Sequence, residues 1–348
     1  MTIAIIGAGI AGLTAAYTLV QAGMNDVVLF EKSPVVAGRA ATRWFDLPRG
    51  RAFVDYGVQY FRTESPTFSR LILEKLPRDT LVDVTHPVWV FDRAGTLSPG
   101  DAATNTQEKW TYREGAAVLG ELITESAHLR IHTQTSIGML QWKQGRYALI
   151  DEDGGALGDY DAVIVAVPST QAADLIALSA IPNLEKITLE GALRQAVYRR
   201  CITITLGFLR PLQARPYYAL VNPTRDHPIS WIGFEHHKPG HLPDDCAAVV
   251  IQMGGDYSLS HWDWGNFELL ATITAQASEL LGEDLRESDF VDVHKWKLSQ
   301  PDRLASESAV NGVLPSLWFA GDYLRGGRVH LAAETGAAAA ESLLIGSR

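Results

Sequence analysis

Apolar and β-branched residues fill positions 2–6, three glycines follow, and apolar residues then recur at helical spacing over 10–22 until Gly23 ends the run. A second β-like run covers 27–30, so the opening reads as strand, tight turn, helix and strand, one βαβ unit of a doubly wound sheet. Residues 38–62, rich in Gly, Arg and aromatics, read as an extended loop. The pattern then becomes mixed, with a helix over 66–76 and a β-like run over 82–91. Strands are expected at 130–135, 145–150 and 162–167, with the turn-forming DEDGG between the last two. A further excursion carries a helix at 184–195, strands at 201–208, 229–234 and 247–252, and a helix at 266–281. The chain ends on a strand at 317–320, the segment GDYLRGG and an alanine-rich helix over 331–344.

This order predicts an α/β protein of two interleaved parts. A nucleotide-binding domain would take 1–62, 116–167 and 293–348, and a second, substrate-covering domain 63–115 and 168–292. The 348 residues suit that division, being more than one compact core usually carries. A formal charge of −10 and the lack of a Lys/Arg-rich tail argue against broad nucleic-acid binding. Two cysteines, Cys201 and Cys246, fit neither a disulfide framework nor a zinc site, which suggests a reducing cytoplasm. The apolar opening lacks the basic flank of a signal peptide, and no later run is long enough to cross a bilayer, so no membrane span is expected.

Gly7, Gly9 and Gly12 form GxGxxG directly after a strand and at a helix start, the context that gives this weak pattern meaning. Gly7 permits the tight turn, Gly9 lets backbone approach a pyrophosphate, and Gly12 lets helix pack on strand. The amides around Ile10 and Ala11 then meet the diphosphate. Glu31, next to Lys32 at the end of the second strand, is placed to hold a ribose with a free 2′-hydroxyl. Gly38, Arg39, Ala40 and Arg43 follow closely and bring two arginines back to the same edge, where a planar guanidinium suits phosphate. Near the other end, Gly321 and Asp322 close a strand, so that the carboxylate can accept a hydrogen bond from a ribityl chain. The helix start at Val329, His330, Leu331 and Ala332 would aim amides at a flavin pyrimidine, stabilising negative charge there.

Together GAGIAGL at 7–13, Glu31, GRAATR at 38–43, DAVIVAVP at 161–168 and WFAGD at 318–322 resemble the monoamine-oxidase-like flavoprotein superfamily. Within it, DYGVQYF at 55–61, HKWKLSQP at 294–301 and RGGRVHLAAETGAAAAE at 325–341 look most like the renalase subfamily, the last with local departures. The resemblance implies a glutathione-reductase-type FAD-binding Rossmann domain with an inserted mixed-sheet substrate domain, of the p-hydroxybenzoate-hydroxylase and amine-oxidase kind. It places Ser136 and Ile137 near the adenine, and adds Tyr56, Gly57, Val58, Gln59, Ala166, Val167 and Trp296 to the cofactor's surroundings. It implies oxidation of 1,2- or 1,6-dihydro-NAD(P) to NAD(P)+ by hydride transfer, with oxygen reduced to hydrogen peroxide. Gln59, Tyr60 and Trp296 would line the flavin face, with Trp231 and His236 supplied by the second domain.

Trp231 and Trp296 could equally be core aromatics, and His236 with His237 reads more readily as a surface pair than as metal ligands, since no matching ligand set accompanies them. Strand alternation would point only one of Lys295 and Trp296 at the ring, and Trp296 is favoured. Neither cysteine lies in the C-terminal motif, so FAD is expected to be non-covalent, with no metal. The alternatives are an amine oxidase, disfavoured by the position of Tyr323, a non-catalytic binding protein on the same fold, and an NAD-dependent dehydrogenase, which would leave the C-terminal GD-helix unexplained.

Overall fold

The computed structural model describes residues 1–346. Its opening forms as strand Ile3–Ile6, helix Ile10–Gln21 and strand Val27–Phe30. These enter a five-stranded sheet in the order Leu317–Phe319, Ala162–Val165, Ile3–Ile6, Val27–Phe30, Arg130–His132. Every pairing in it is parallel. The three central strands are buried at every residue, which explains their unbroken apolar sequences, because layers cover both faces. On one face, Leu13 and Leu19 pack with Ala333 and Ala340 of the closing helix Val329–Gly346. The two helices approach so closely that a Cβ at Gly336 would collide with the Ala11 carbonyl. The other face is covered by a three-stranded meander, Ile137–Lys143, Arg146–Asp151 and Ala156–Tyr160, and by helices Ser169–Leu178 and Asn183–Leu193.

A seven-stranded sheet forms the second layer system, in the order Phe290–Arg303, Val197–Phe208, Ala247–Met253, Ile229–Phe234, Ala219–Val221, Val88–Phe91, Leu97–Pro99. It is mixed, because Ala219–Val221 runs parallel to Val88–Phe91 while the other neighbours are antiparallel. Along Val197–Phe208 the period of two divides the roles. Ile202, Ile204 and Leu206 pack beneath helix Asn266–Leu281, and Arg199 and Cys201 face the opposite way.

Several expectations need correction. The supposed loop over 38–62 contains a hairpin, Thr42–Leu47 with Gly50–Asp55. Its first strand lacks a clean apolar face and is only partly buried, so no periodic signal marked it. The run at 82–91 is two strands, Leu81–Asp83 and Val88–Phe91, which join different sheets. Pro87 lies between them, has no amide to donate and restricts His86. The helix over 66–76 is an α turn, Pro66–Arg70, that widens into a π turn, Leu71–Lys75. Strand Phe290–Arg303 runs across the boundary expected at 293. Phe68, Leu71 and Ile72 pack in the core of the nucleotide sheet, as do Leu189 and Leu193 on its other face, so the packing moves those segments to the first part. No helix among the described residues is long and apolar enough to cross a membrane.

Candidate active site

The parallel sheet ends in a turn built from glycines with different jobs. Gly7 sits at φ +102°, where a Cβ would lie 2.8 Å from the Ala166 carbonyl oxygen. A Cβ at Gly12 would strike the Gly7 carbonyl, whereas one at Gly9 would meet nothing within 4 Å. Gly9 therefore faces open space at the N-terminus of a twelve-residue helix that has no side-chain cap. The first amides and the positive end of the helix dipole are left for an anion. Glu31 is held beside this turn, accepting from the Ala8 amide at 2.8 Å, the Ser33 amide at 2.9 Å and the Ser33 hydroxyl at 2.6 Å.

These groups open on one long cavity of about 1570 Å³. That is more than one small ligand usually fills, and leaves room for a substrate beside a dinucleotide. Glu31, Lys32, Ser136 and Ile137 are in its wall. Gly7, Gly9, Ile10, Ala11, Gly38, Arg39 and Ala40 follow, with Ala166 and Val167 on the neighbouring strand. Tyr56, Gly57, Val58, Trp296, Gly321, Asp322, Val329 and Ala332 complete the expected set that the wall contains.

Other residues proposed from the sequence stand elsewhere. Gly12 is spent on packing. His330 is buried with its Nε2 3.6 Å from a Glu64 carboxylate oxygen, and Leu331 packs beside Gly326, so neither lines the cavity. Arg43 does not join the phosphate edge, because its guanidinium bonds Asp292 at 2.9 Å and lies over the Tyr56 ring. Of the five residues proposed for catalysis only Trp296 reaches the wall. Gln59 turns its amide back to the Asp55 carbonyl, Tyr60 packs against Tyr218 and Trp231, and His236 lies beside His237, where burial lowers its pKa. Gly233 makes room for this second layer, as a Cβ there would be 2.7 Å from Gln59 Oε1 and 2.8 Å from Trp231 Nε1.

In the cavity wall Trp296 stacks on Tyr56, ring centroids 5.2 Å apart and 18° from parallel, and donates from Nε1 to the Tyr56 carbonyl at 3.2 Å. His294 packs against both rings and is kept neutral by burial. Lys295 points away, its ammonium bonding the carbonyls of Trp262 at 2.6 Å and Trp264 at 2.7 Å. Cys201, paired across the sheet with Trp296, is a lining residue the sequence reading missed. Burial pushes its thiol up to about 11, so it stays protonated at neutral pH and is a poor nucleophile. Arg39 and Asp322, 283 positions apart, form two parallel bonds of 2.8 Å each, and the Tyr198 hydroxyl donates to the same carboxylate at 2.9 Å.

Behind this wall lies a wholly buried ion cluster. Lys238 Nζ is 2.8 Å from both Asp55 Oδ2 and Glu235 Oε1, and His241 Nδ1 is 3.0 Å from Glu235 Oε2. Asp55, Glu235 and His241 are spaced as metal ligands could be, but the lysine ammonium already bonds both carboxylates. Asp55 is only two residues before the cavity-lining Gly57, so the cluster anchors the segment carrying Tyr56. The sequence FEHHKPGH drew attention to the wrong histidines. The lysine and His241 meet Asp55 only through the fold.

Comparison with known families gives this geometry a place. Residues 100–344 match the family model "Flavin containing amine oxidoreductase", and residues 5–75 an NAD(P)-binding Rossmann-like domain. The chain belongs to the flavin-containing amine oxidoreductase family. It is an FAD-dependent oxidoreductase, and FAD is held non-covalently. The residues present fit that cofactor: the uncapped helix faces open space for a diphosphate, and Glu31, bonded to the Ala8 amide of the same turn, lines the cavity beside it. Tryptophan 2-monooxygenase of Pseudomonas savastanoi is 44% identical over 59 residues, 17% of this chain and 11% of that protein, so the match spans only about a tenth of that relative. Among solved structures, a candidate protoporphyrinogen oxidase from Exiguobacterium sp. 255-15 superposes with TM-score 0.79 at 15% identity over 99% of this chain and 98% of the other. Cyclohexylamine oxidase from Brevibacterium oxydans IH-35A gives 0.75 at 14% over 98% of each. At such identities these structures share the fold and nothing further.

Proposed function

We propose that this enzyme oxidises isomeric dihydronicotinamides, the 1,2- or 1,6-dihydro forms of NAD(P), to NAD(P)+. FAD, when bound, would supply the hydride acceptor, with oxygen as the oxidant that is reduced to hydrogen peroxide. The observation that carries the reading is the make-up of the central wall. Tyr56, His294 and Trp296 present rings to the cavity, and of the two lysines flanking Trp296, Lys295 is turned out of it while the exposed Lys297 lines it. A dihydronicotinamide loses hydride and becomes aromatic in the same step, so it needs flat apolar surfaces to orient it and no general base. Trp296 fixes the plane of the substrate by stacking. Burial lowers the His294 pKa, so the neutral imidazole adds no positive charge of its own beside the developing cation. Gln59, Tyr60 and Trp231, behind the wall, hold the Tyr56–Val58 segment in place.

The second reading is oxidation of a small amine, which the family supports. Against it, Tyr56 and Trp296 stack on each other with no gap for an amine between them, and Tyr323 is fully buried. Anaerobic mixing with 1,2-dihydro-NAD(P), 1,6-dihydro-NAD(P) and a panel of small amines separates the two. Rapid bleaching of the flavin band by a dihydronicotinamide alone is expected. Bleaching by amines alone would overturn the proposal.

A further inference from the structure

The same cavity is also lined by a group of charged residues. Arg93, Arg199, Arg225 and Arg328 all line it, from four separate segments of the chain. Asp302 bonds Arg199 at 2.7 Å and Arg225 at 3.2 Å, so one carboxylate serves two guanidinium groups. Asp226 and Asp256 also line the cavity; Asp226 is bonded by Thr224 and Asn222 and attracts Arg93 at longer range, while Arg93 and Arg328 form no direct ion pair among the described residues. Arg199 is the most enclosed of the ion-paired members, with a side chain 21% exposed, and its Nε is buried without a partner. Burial lowers its pKa, Asp302 opposes this, and the like charges of Arg225 and Arg328 add to the lowering, yet a guanidinium stays charged at any physiological pH. Four arginines meet three aspartates there, Arg93, Arg225 and Arg328 are exposed, and the more enclosed Arg199 holds an unused buried donor, so a net positive charge and a free N–H face the cavity for an anion to join.

We propose that Arg199, Arg225 and Arg328, with Arg93 at the rim, form an anion subsite that receives a phosphate or carboxylate group of the substrate. Arg199 and Cys201 stand on the same face of one strand, and Cys201 pairs with Trp296. Two residues of strand separate them, about 7 Å. An anion there would be joined to the ring under oxidation by a linker of a few bonds. The inference rests on the reading that this cavity takes the substrate, and it fixes a class: molecules with an oxyanion several ångströms from the oxidised carbon, cationic diamines being excluded.

The test uses the FAD-loaded protein, so that the diphosphate site is filled, and two probes, inorganic pyrophosphate and benzoate, titrated calorimetrically at several NaCl concentrations. At least one of them is expected to bind one per chain, more weakly as salt rises. Arg225→Gln and Arg328→Gln, both at accessible positions, should each weaken binding by about tenfold or more, the usual effect of losing a charge-assisted bond. Asp302→Asn should tighten it, and Arg286→Gln, remote and exposed, should leave it unchanged. Stronger binding of pyrophosphate identifies a phosphate-bearing substrate, and stronger binding of benzoate a carboxylate. Absence of binding by both probes, or wild-type affinity in both arginine variants, overturns the subsite. Flavin bleaching by dihydronicotinamide with no anion binding would sink this inference alone, and anion binding without such bleaching would sink only the substrate assignment.

Discussion

Lys238→Met removes the one ammonium that holds two buried carboxylates. Lys238, Asp55, Glu235 and His241 all have side chains at 0% exposure, with Nζ 2.8 Å from an oxygen of each acid. Methionine fills a similar volume, so the loss is electrostatic. Breaking a buried pair from one side costs about 3–5 kcal/mol, because the remaining charge is left without compensation. At about 2 °C per kcal/mol for a long chain, the apparent melting temperature should fall by roughly 6–10 °C. The pH dependence gives a sharper test. In the native protein burial alone would raise the Asp55 carboxyl, but Lys238 and His241 more than offset this and hold it below its ordinary value. Its contribution is therefore present above the unfolded pKa of about 3.9 and is lost only in stronger acid. Without the ammonium, burial dominates and the folded pKa rises above the unfolded one. Such a group stabilises at low pH and loses that contribution as pH rises through the folded pKa. The deficit should thus be largest near about pH 8 and shrink toward about pH 5. Thermal scans of the FAD-loaded protein at fixed rate, followed by tryptophan fluorescence, measure it. A variant that melts with the wild type, or one whose deficit grows on acidification, refutes the account.

Three other outcomes follow from the cofactor site and the cavity wall. Glu31→Gln keeps the shape but removes the charge that accepts from Ala8 and Ser33 and faces the cavity, and should weaken FAD binding about tenfold, read by fluorescence titration of the apoprotein. Acid precipitation should release all the flavin into the supernatant, and Cys201, with its thiol pushed up to about 11 and buried, should resist iodoacetamide at pH 8 in the native state.

The nucleotide half of this fold was legible because its signals are local. A buried parallel strand must be apolar throughout, and a turn that approaches a diphosphate needs glycine where a Cβ would strike Ala166 or Gly7. Both constraints act within a few residues, so Gly7, Gly9, Gly12 and Glu31 could be assigned in order. The substrate side carries no such constraint. Gln59, Tyr60, Trp231 and His236 resembled site residues by type and neighbourhood, but sidedness decides which of them reaches the cavity. Irregular pairing hides that sidedness: the register slips between Arg199 and Cys201, and again between Ile229 and Trp231. Arg199, Cys201 and His294 went unnoticed for the same reason, although the alternation of Ile202, Ile204 and Leu206 on the opposite face was a usable clue.

The pairing of Arg39 with Asp322 changes what each of those residues can do for the cofactor. Read separately, the arginine belonged to a phosphate and the carboxylate to a ribityl hydroxyl. In the fold Arg39 spends both terminal nitrogens on Asp322 and a third bond, at 2.8 Å, on the Ser299 carbonyl. Arg43 is likewise committed to Asp292. The diphosphate charge must then be met chiefly by the uncapped amides from Gly9 onward, which no side chain competes for. The two arginines serve instead as ties between distant segments, one joining the turn after Glu31 to the C-terminal GD motif and the other joining the hairpin to strand Phe290–Arg303. Asp322, bonded by Arg39 and Tyr198, is held in a fixed orientation and can still accept from a ribityl hydroxyl with its remaining lone pairs. A site assembled from both ends of a chain needs such ties before it can hold its cofactor.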